Sequence, residues 1–145
     1  MARGSRERAR GLLIKALYQW QLAGHGYDEL IEQYSALAEF KRIDDRYFAE
    51  LLRAVIDDAA ALDAIIAAHA ARGLDQLDAV GRAVLLLALA ELKHRSDVPE
   101  KVVINEAVEL AKRFGAADSY RFVNAVADKA AKQLRHETAS EASAG

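Results

Sequence analysis

The chain of 145 residues has no cysteine, which excludes disulfide scaffolds, cysteine-ligated zinc and thiol nucleophiles together. A single proline and eight glycines are too few turn signals for a fold of many short strands. The longest uninterrupted apolar run, Ala83 to Ala90, falls far short of the roughly 20 residues that cross a membrane. The arginine-rich start has no apolar segment behind it, so no secretory signal is expected and the sequence reads as soluble and cytoplasmic. Net charge is only −2, so a basic site for nucleic acid has to be local. What is present is 52% hydrophobic residues, enough for a real core, in a length that fits one domain.

Apolar spacing predicts an all-α fold. Leu12, Leu13, Ala16, Leu17 and Trp20 form one helical stripe, ended by Gly24-His25-Gly26. A second helix starts after Asp28 as cap and turns Leu30, Ile31, Tyr34 and Leu37 inward. A third begins near Asp44 with Phe48, Leu51, Leu52, Val55 and Ala59. Leu62, Ile65, Ile66 and His69 continue that pattern, and the length of the whole run favours a break into a fourth helix. After Gly73, Asp78 caps a helix whose Ala83–Ala90 stretch is apolar on every side and is therefore expected at the centre. Asp97-Val98-Pro99 opens the next, which carries Ile104, Ala107, Val108, Ala111 and Phe114 and stops at Gly115. Asp118-Ser119 opens the last, with Val123, Val126 and Ala130 inward. Past about Gln133 the apolar stripe ends, so the expected domain is 1–135 with a flexible polar tail over 136–145.

Catalytic signatures are missing. The four histidines lack the i, i+4 pairing of a helical metal site, and no P-loop, G-x-G-x-x-G or G-x-S-x-G is present. Glu91, late in the apolar helix, is the one acid expected to be desolvated, and a hydrogen-bonded structural role suits it better than catalysis. Neither an enzyme nor a cofactor is expected.

Charge is distributed unevenly. Residues 1–23 hold five basic residues against one acid, whereas residues 28–75 hold eleven acids against five bases. At 100° per residue, Arg3, Arg6 and Arg10 fall on one line beside the core stripe, with Tyr18 nearly opposite the core. An arginine line with an exposed tyrosine suits phosphate contact and base stacking; a solvated N-terminus is the plain alternative. Asp118 and Phe122, an i, i+4 pair, share a second surface line. On these residues alone the carboxylate reads as a helix cap, with an acceptor for a base amine beside a stacking ring as the functional alternative.

The runs Arg6-Glu7-Arg8-Ala9-Arg10, Ala16-Leu17-Tyr18-Gln19-Trp20, Val103-Ile104-Asn105-Glu106-Ala107-Val108-Glu109-Leu110-Ala111-Lys112 and Phe122-Val123-Asn124 closely resemble the bacterial NusB family of transcription antitermination factors. The resemblance runs in order from about Arg6 to Lys132. It implies two packed three-helix subbundles, about seven helices in all. It further implies binding of the boxA element of ribosomal RNA leader transcripts with the ribosomal protein NusE, in a complex with NusA, NusG and RNA polymerase. By position it places Arg3, Arg6, Arg8, Arg10, Tyr18, Lys112, Asp118 and Phe122 toward RNA, and Tyr18, Asp75 and Asp78 toward the partner protein. Asn105, Glu106 and Asn124 are assigned to packing and capping. Ala125, Ala127 and Gly81 depart from the family pattern. Two other readings stay open, a helical adaptor that binds only protein and a relative of the RNA-binding module of ribosomal RNA methyltransferases, and so does a homodimer.

Overall fold

A computed structural model describes residues 2–71 and 77–137, with residues 2, 3 and 137 described by backbone alone. Among the described residues six α-helices follow one another: α1 (Ala2–Ala23), α2 (Tyr27–Ser35), α3 (Asp45–His69), α4 (Ala79–His94), α5 (Glu100–Phe114) and α6 (Ser119–Ala131). A 3-10 turn, Ala38–Arg42, precedes α3, and a π-helical turn, Lys132–Glu137, follows α6. No strand occurs among the described residues.

The helices form two groups of three, α1–α3 and α4–α6, joined by packing of α1 and α3 on α4 and of α3 on α6. The expected count of about seven falls to six because α3 is unbroken for 25 residues. Its middle, Asp57 to Ala61, contains neither glycine nor proline and is rich in alanine, the strongest helix former, so nothing stops the helix there. The Asp44 carboxylate caps α3 by accepting from the Tyr47 amide at 3.0 Å. Gly26, not Asp28, holds the corresponding position of α2. Asp28 lies in its first turn, and Leu37 lies past its end and is exposed.

Four helices, α1, α3, α5 and α6, surround α4, and Ala83 through Leu92 are buried without interruption. The all-round apolar character of that segment is thus matched by all-round cover, each fully buried leucine contributing about 1.5–3 kcal/mol of transfer free energy. Asp78 caps α4 through the Gly81 amide at 2.7 Å.

Helical structure continues beyond Gln133 through a polar device. The Arg135 guanidinium donates to the carbonyls of Leu92, Val98, Glu91 and Arg95, closing the C-terminal end of α4 and the turn after it. Leu134 packs against the core beside it. Residues 138–145 lie outside the described residues.

Candidate nucleic-acid interface

Arg10 is not on the surface. Only 4% of it is exposed, and its Nε and Nη2 donate to the Glu91 carboxylate at 3.0 and 2.9 Å. Its Nη1 reaches Glu106 at 3.3 Å, and the Tyr47 hydroxyl donates to the same Glu91 oxygen. Burial works against the charge of Arg10, but the hydrogen bond and charge of Glu91 outweigh it and leave its pKa raised. Burial and the neighbouring Glu91 likewise push the Tyr47 phenol up, so it remains a hydrogen-bond donor. The assignment of Arg10 to RNA is therefore corrected. Leu13, Ile14 and Leu17, three, four and seven residues on, are all buried, so Arg10 belongs to the inward stripe itself. Glu91 is the hydrogen-bonded structural acid expected.

Arg6 is half-buried on the same line. Its guanidinium lies over the Tyr47 ring, 4.4 Å from the centroid, and within 4 Å of Asp44 (3.7 Å) and Asp97 (3.6 Å). Arg8, by contrast, is exposed. Arg3 belongs to α1 by backbone, with its side chain outside the described residues.

The outward face of α1 carries Arg8, Lys15, Tyr18 and Leu22, successive positions three, four or seven residues apart. Tyr18 is 42% exposed and Leu22 63%. Gly11 lies on this line, and a Cβ added there would sit 3.3 Å from the Arg113 guanidinium. That approach turns the face toward the end of α5. There Lys112 is exposed, lies 5.0 Å from the centroid of the Tyr120 ring of α6, and is 3.7 Å from Glu109. The last turn of α5 thus bridges α1 and α6. Lys15 and Arg113, neither of them singled out from the sequence, complete a cationic strip with Arg8 and Lys112.

Asp118 is exposed at the N-cap position of α6, but its side chain caps no amide. The cap explanation is thereby corrected, and the carboxylate stays free of that duty. Phe122 is half-buried and lines, with Asp118, Asp78, Gly81, Leu77 and Val123, a hollow of about 660 Å³ between the starts of α4 and α6. Two residues assigned to RNA and one assigned to a protein partner therefore share one depression. Asp75 lies outside the described residues. Asn105 and Asn124 are exposed, whereas Glu106 is half-buried and packs through its contact with Arg10. No cluster of three metal-ligating side chains occurs among the described residues, and no described helix is long and apolar enough to cross a membrane.

Comparison with known proteins agrees with this architecture. The NusB family model matches residues 7–132. The transcription antitermination protein NusB of Alcanivorax borkumensis is 45% identical over 137 residues, 94% of this chain and 91% of that protein. The Yersinia enterocolitica NusB is 49% identical over 135 residues, 93% and 98% of the two chains. Among solved structures, T. maritima NusB superposes with a TM-score of 0.79 at 31% identity, covering 91% of this chain and 94% of that one. A structure of the antitermination factors NusB and NusE in complex with double-stranded RNA matches with a TM-score of 0.74 at 28% identity, covering 92% and 99%. The chain belongs to the NusB family.

Proposed function

We propose that this chain is a non-catalytic, cytoplasmic transcription antitermination factor. It binds boxA RNA of ribosomal RNA leader transcripts together with NusE and joins NusA, NusG and RNA polymerase. Family membership supports the class of function, and the neighbour in fold solved with NusE and RNA supports the two nearest partners.

The observation that carries the RNA reading is the approach of Arg113 to Gly11, because it sets the outward face of α1 beside the end of α5 and the start of α6. Arg8, Lys15, Lys112 and Arg113, with Arg3 and the exposed edge of Arg6, attract phosphates without regard to sequence. Tyr18 and Phe122 offer rings to unpaired bases, and Asp118 offers an acceptor to an exocyclic amine. Tyr18, Asp75 and Asp78 remain the assigned partner side. Because the molecule as a whole is slightly acidic, affinity for RNA alone is modest, and a partner with its own RNA contacts raises it by joining two weak sites.

The test measures binding to a boxA-like single strand and to a scrambled strand across a salt series. The four strip cations Arg8, Lys15, Lys112 and Arg113 alone give a log–log slope of about −3 for a single strand, and Arg3 and Arg6 steepen it. Equal affinity for the two strands removes base readout and leaves a non-specific binder. A flat salt dependence removes the phosphate contacts as well.

A further inference from the structure

The first turns of α1 lie against the 3-10 turn that precedes α3. The Asp44 amide donates to the Ser5 carbonyl at 3.1 Å, and Phe40 packs edge-on against the buried Phe48 ring, centroids 5.4 Å apart, so the turn is anchored. Its last two residues, Lys41 and Arg42, are exposed. Arg42 lines, with Arg8, Gly4 and Ser5, a surface hollow of about 280 Å³. No carboxylate lines it, although Glu7, Glu39, Asp44 and Asp45 are close in sequence. Glu7 borders a different groove, with Val98 and Val102, and Asp44 is engaged by Arg6 and the Tyr47 amide. Neither Arg8 nor Arg42 forms an ion pair or a side-chain hydrogen bond among the described residues. A neighbouring hollow at the same end of α1 is built differently. There Arg6 approaches Asp44, Arg46 approaches Glu50, and Arg95 binds Glu50 and Asp97 at 2.7 and 2.9 Å. Three cations meet three carboxylates, and an anion gains nothing by entering.

We propose that the hollow between Arg8 and Arg42 seats the backbone of single-stranded RNA, with Arg42 holding one phosphate next to the one held by Arg8. Charge selects the occupant: two guanidinium groups face one hollow with no acid between them, and a phosphate relieves their repulsion while accepting from both planar donor edges. The strand then continues along the outward face of α1. Arg8 and Lys15 lie about two turns, or about 10 Å, apart on that face, which leads to Arg113 and Lys112. Arg42 therefore extends the basic strip past the start of α1 onto the connection between α2 and α3, in the half of the chain where acids prevail. Because the contact is to phosphate, it adds affinity without sequence preference. The inference rests on the reading of the chain as a binder of RNA, and free phosphate shares the chemistry of the seat.

The full chain and its Arg42→Gln and Lys41→Gln variants are titrated with a boxA-like and a scrambled single strand at salt concentrations from about 50 to 200 mM. Both positions are exposed, so unchanged thermal unfolding is expected and is checked first. Arg42→Gln should weaken binding of both strands about eightfold at 50 mM salt and about threefold at 200 mM, a log–log slope shallower by about 0.7. Lys41→Gln, one residue away but outside the hollow, should change the slope by less than about 0.3. Shortening the strand from one of its ends should bring the wild type down to the affinity of Arg42→Gln, which itself loses little. Equal slopes for wild type and Arg42→Gln overturn the seat and leave the functional reading intact. An equal loss in the two variants does the same, since it reports a diffuse field. Inorganic phosphate alone is titrated in parallel. If Arg42→Gln abolishes saturable phosphate binding and leaves both RNA affinities at the wild-type value, the hollow belongs to a free anion and the RNA seat is overturned. A wild-type chain that binds neither strand overturns the functional reading itself.

Discussion

Arg10 and Glu91, 81 positions apart in the chain, form a two-point ion pair inside the protein, with side-chain exposures of 4% and 2%. The pair ties α1 to α4 across the line where the two three-helix groups meet. Removing one partner strands the other charge in the core. Arg10→Ala is therefore expected to destabilise the fold by about 3–5 kcal/mol in urea unfolding, whereas Arg10→Met combined with Glu91→Leu loses far less. The salt dependence of RNA binding by whatever fraction of Arg10→Ala remains folded should match wild type. A reduced slope would return Arg10 to the RNA surface.

The cationic strip makes an opposite forecast for its own members. Arg8→Ala and Lys15→Ala touch no core contact, so stability stays within about 0.5 kcal/mol while the log–log salt slope drops by about 0.7 for each charge removed. Phe122→Ala should leave the slope unchanged and weaken binding by about 1–3 kcal/mol. Filter binding at three salt concentrations separates the two effects. A loss of melting temperature without a loss of affinity would make Phe122 a core residue only.

Much of this architecture was legible in the sequence, because apolar periodicity reports which face of a helix is buried. The Ala83–Ala90 run announced a central helix, and Asp44, Asp78 and Gly115 marked three helix ends where the structure has them. The break expected in α3, which the structure lacks, came from weighing length above propensity. Arg10 was misplaced by treating arginines at 3 and 4 spacing as a surface line, although Leu13, Ile14 and Leu17 put the same line inside. A lone arginine within a core stripe and a lone glutamate within an apolar helix are each costly to bury alone. That shared cost was the available signal that they pair. Arg135 had no such signal, since its partners are backbone carbonyls that any sequence supplies. Lys15 and Arg113 depended on the approach of two helices, which periodicity does not report.

Two glycines test that approach and the helix end beyond it. A Cβ at Gly11 meets only the flexible end of Arg113, at 3.3 Å, so Gly11→Ala is expected to be neutral or to stabilise by up to about 1 kcal/mol through helix propensity. At Gly115 a Cβ would fall 2.8 Å from the Ala111 carbonyl oxygen and 2.5 Å from the Ser119 hydroxyl. The first is backbone and gives way only by opening the last turn of α5. Gly115→Ala should cost about 1–3 kcal/mol in thermal unfolding despite the better propensity of alanine. The same sign of effect at both positions would contradict the packing described.

Two carboxyl groups, Asp97 and Glu106, give the fold a pH dependence with two limbs. The hydrogen bond and charge of Arg95 hold Asp97 down at about 2, against an ordinary 3.8. A depressed carboxyl stabilises the fold above its unfolded pKa, so this contribution is complete above about 4 and disappears as pH falls toward 2. With the Asp97 side chain about half exposed, solvent screening limits it to about 1 kcal/mol. Glu106 acts in the other direction. Burial raises its pKa above the ordinary 4.5, so its protonated form favours the fold below that value and the benefit is lost as pH rises through the raised value. Urea midpoints measured from pH 2 to 7 should show both limbs in the wild type. Glu106→Gln should flatten the upper limb alone, and Asp97→Asn the lower limb alone. If Asp97→Asn instead retains the full acid loss, the Arg95 contact carries no stability and another carboxylate is responsible for the lower limb.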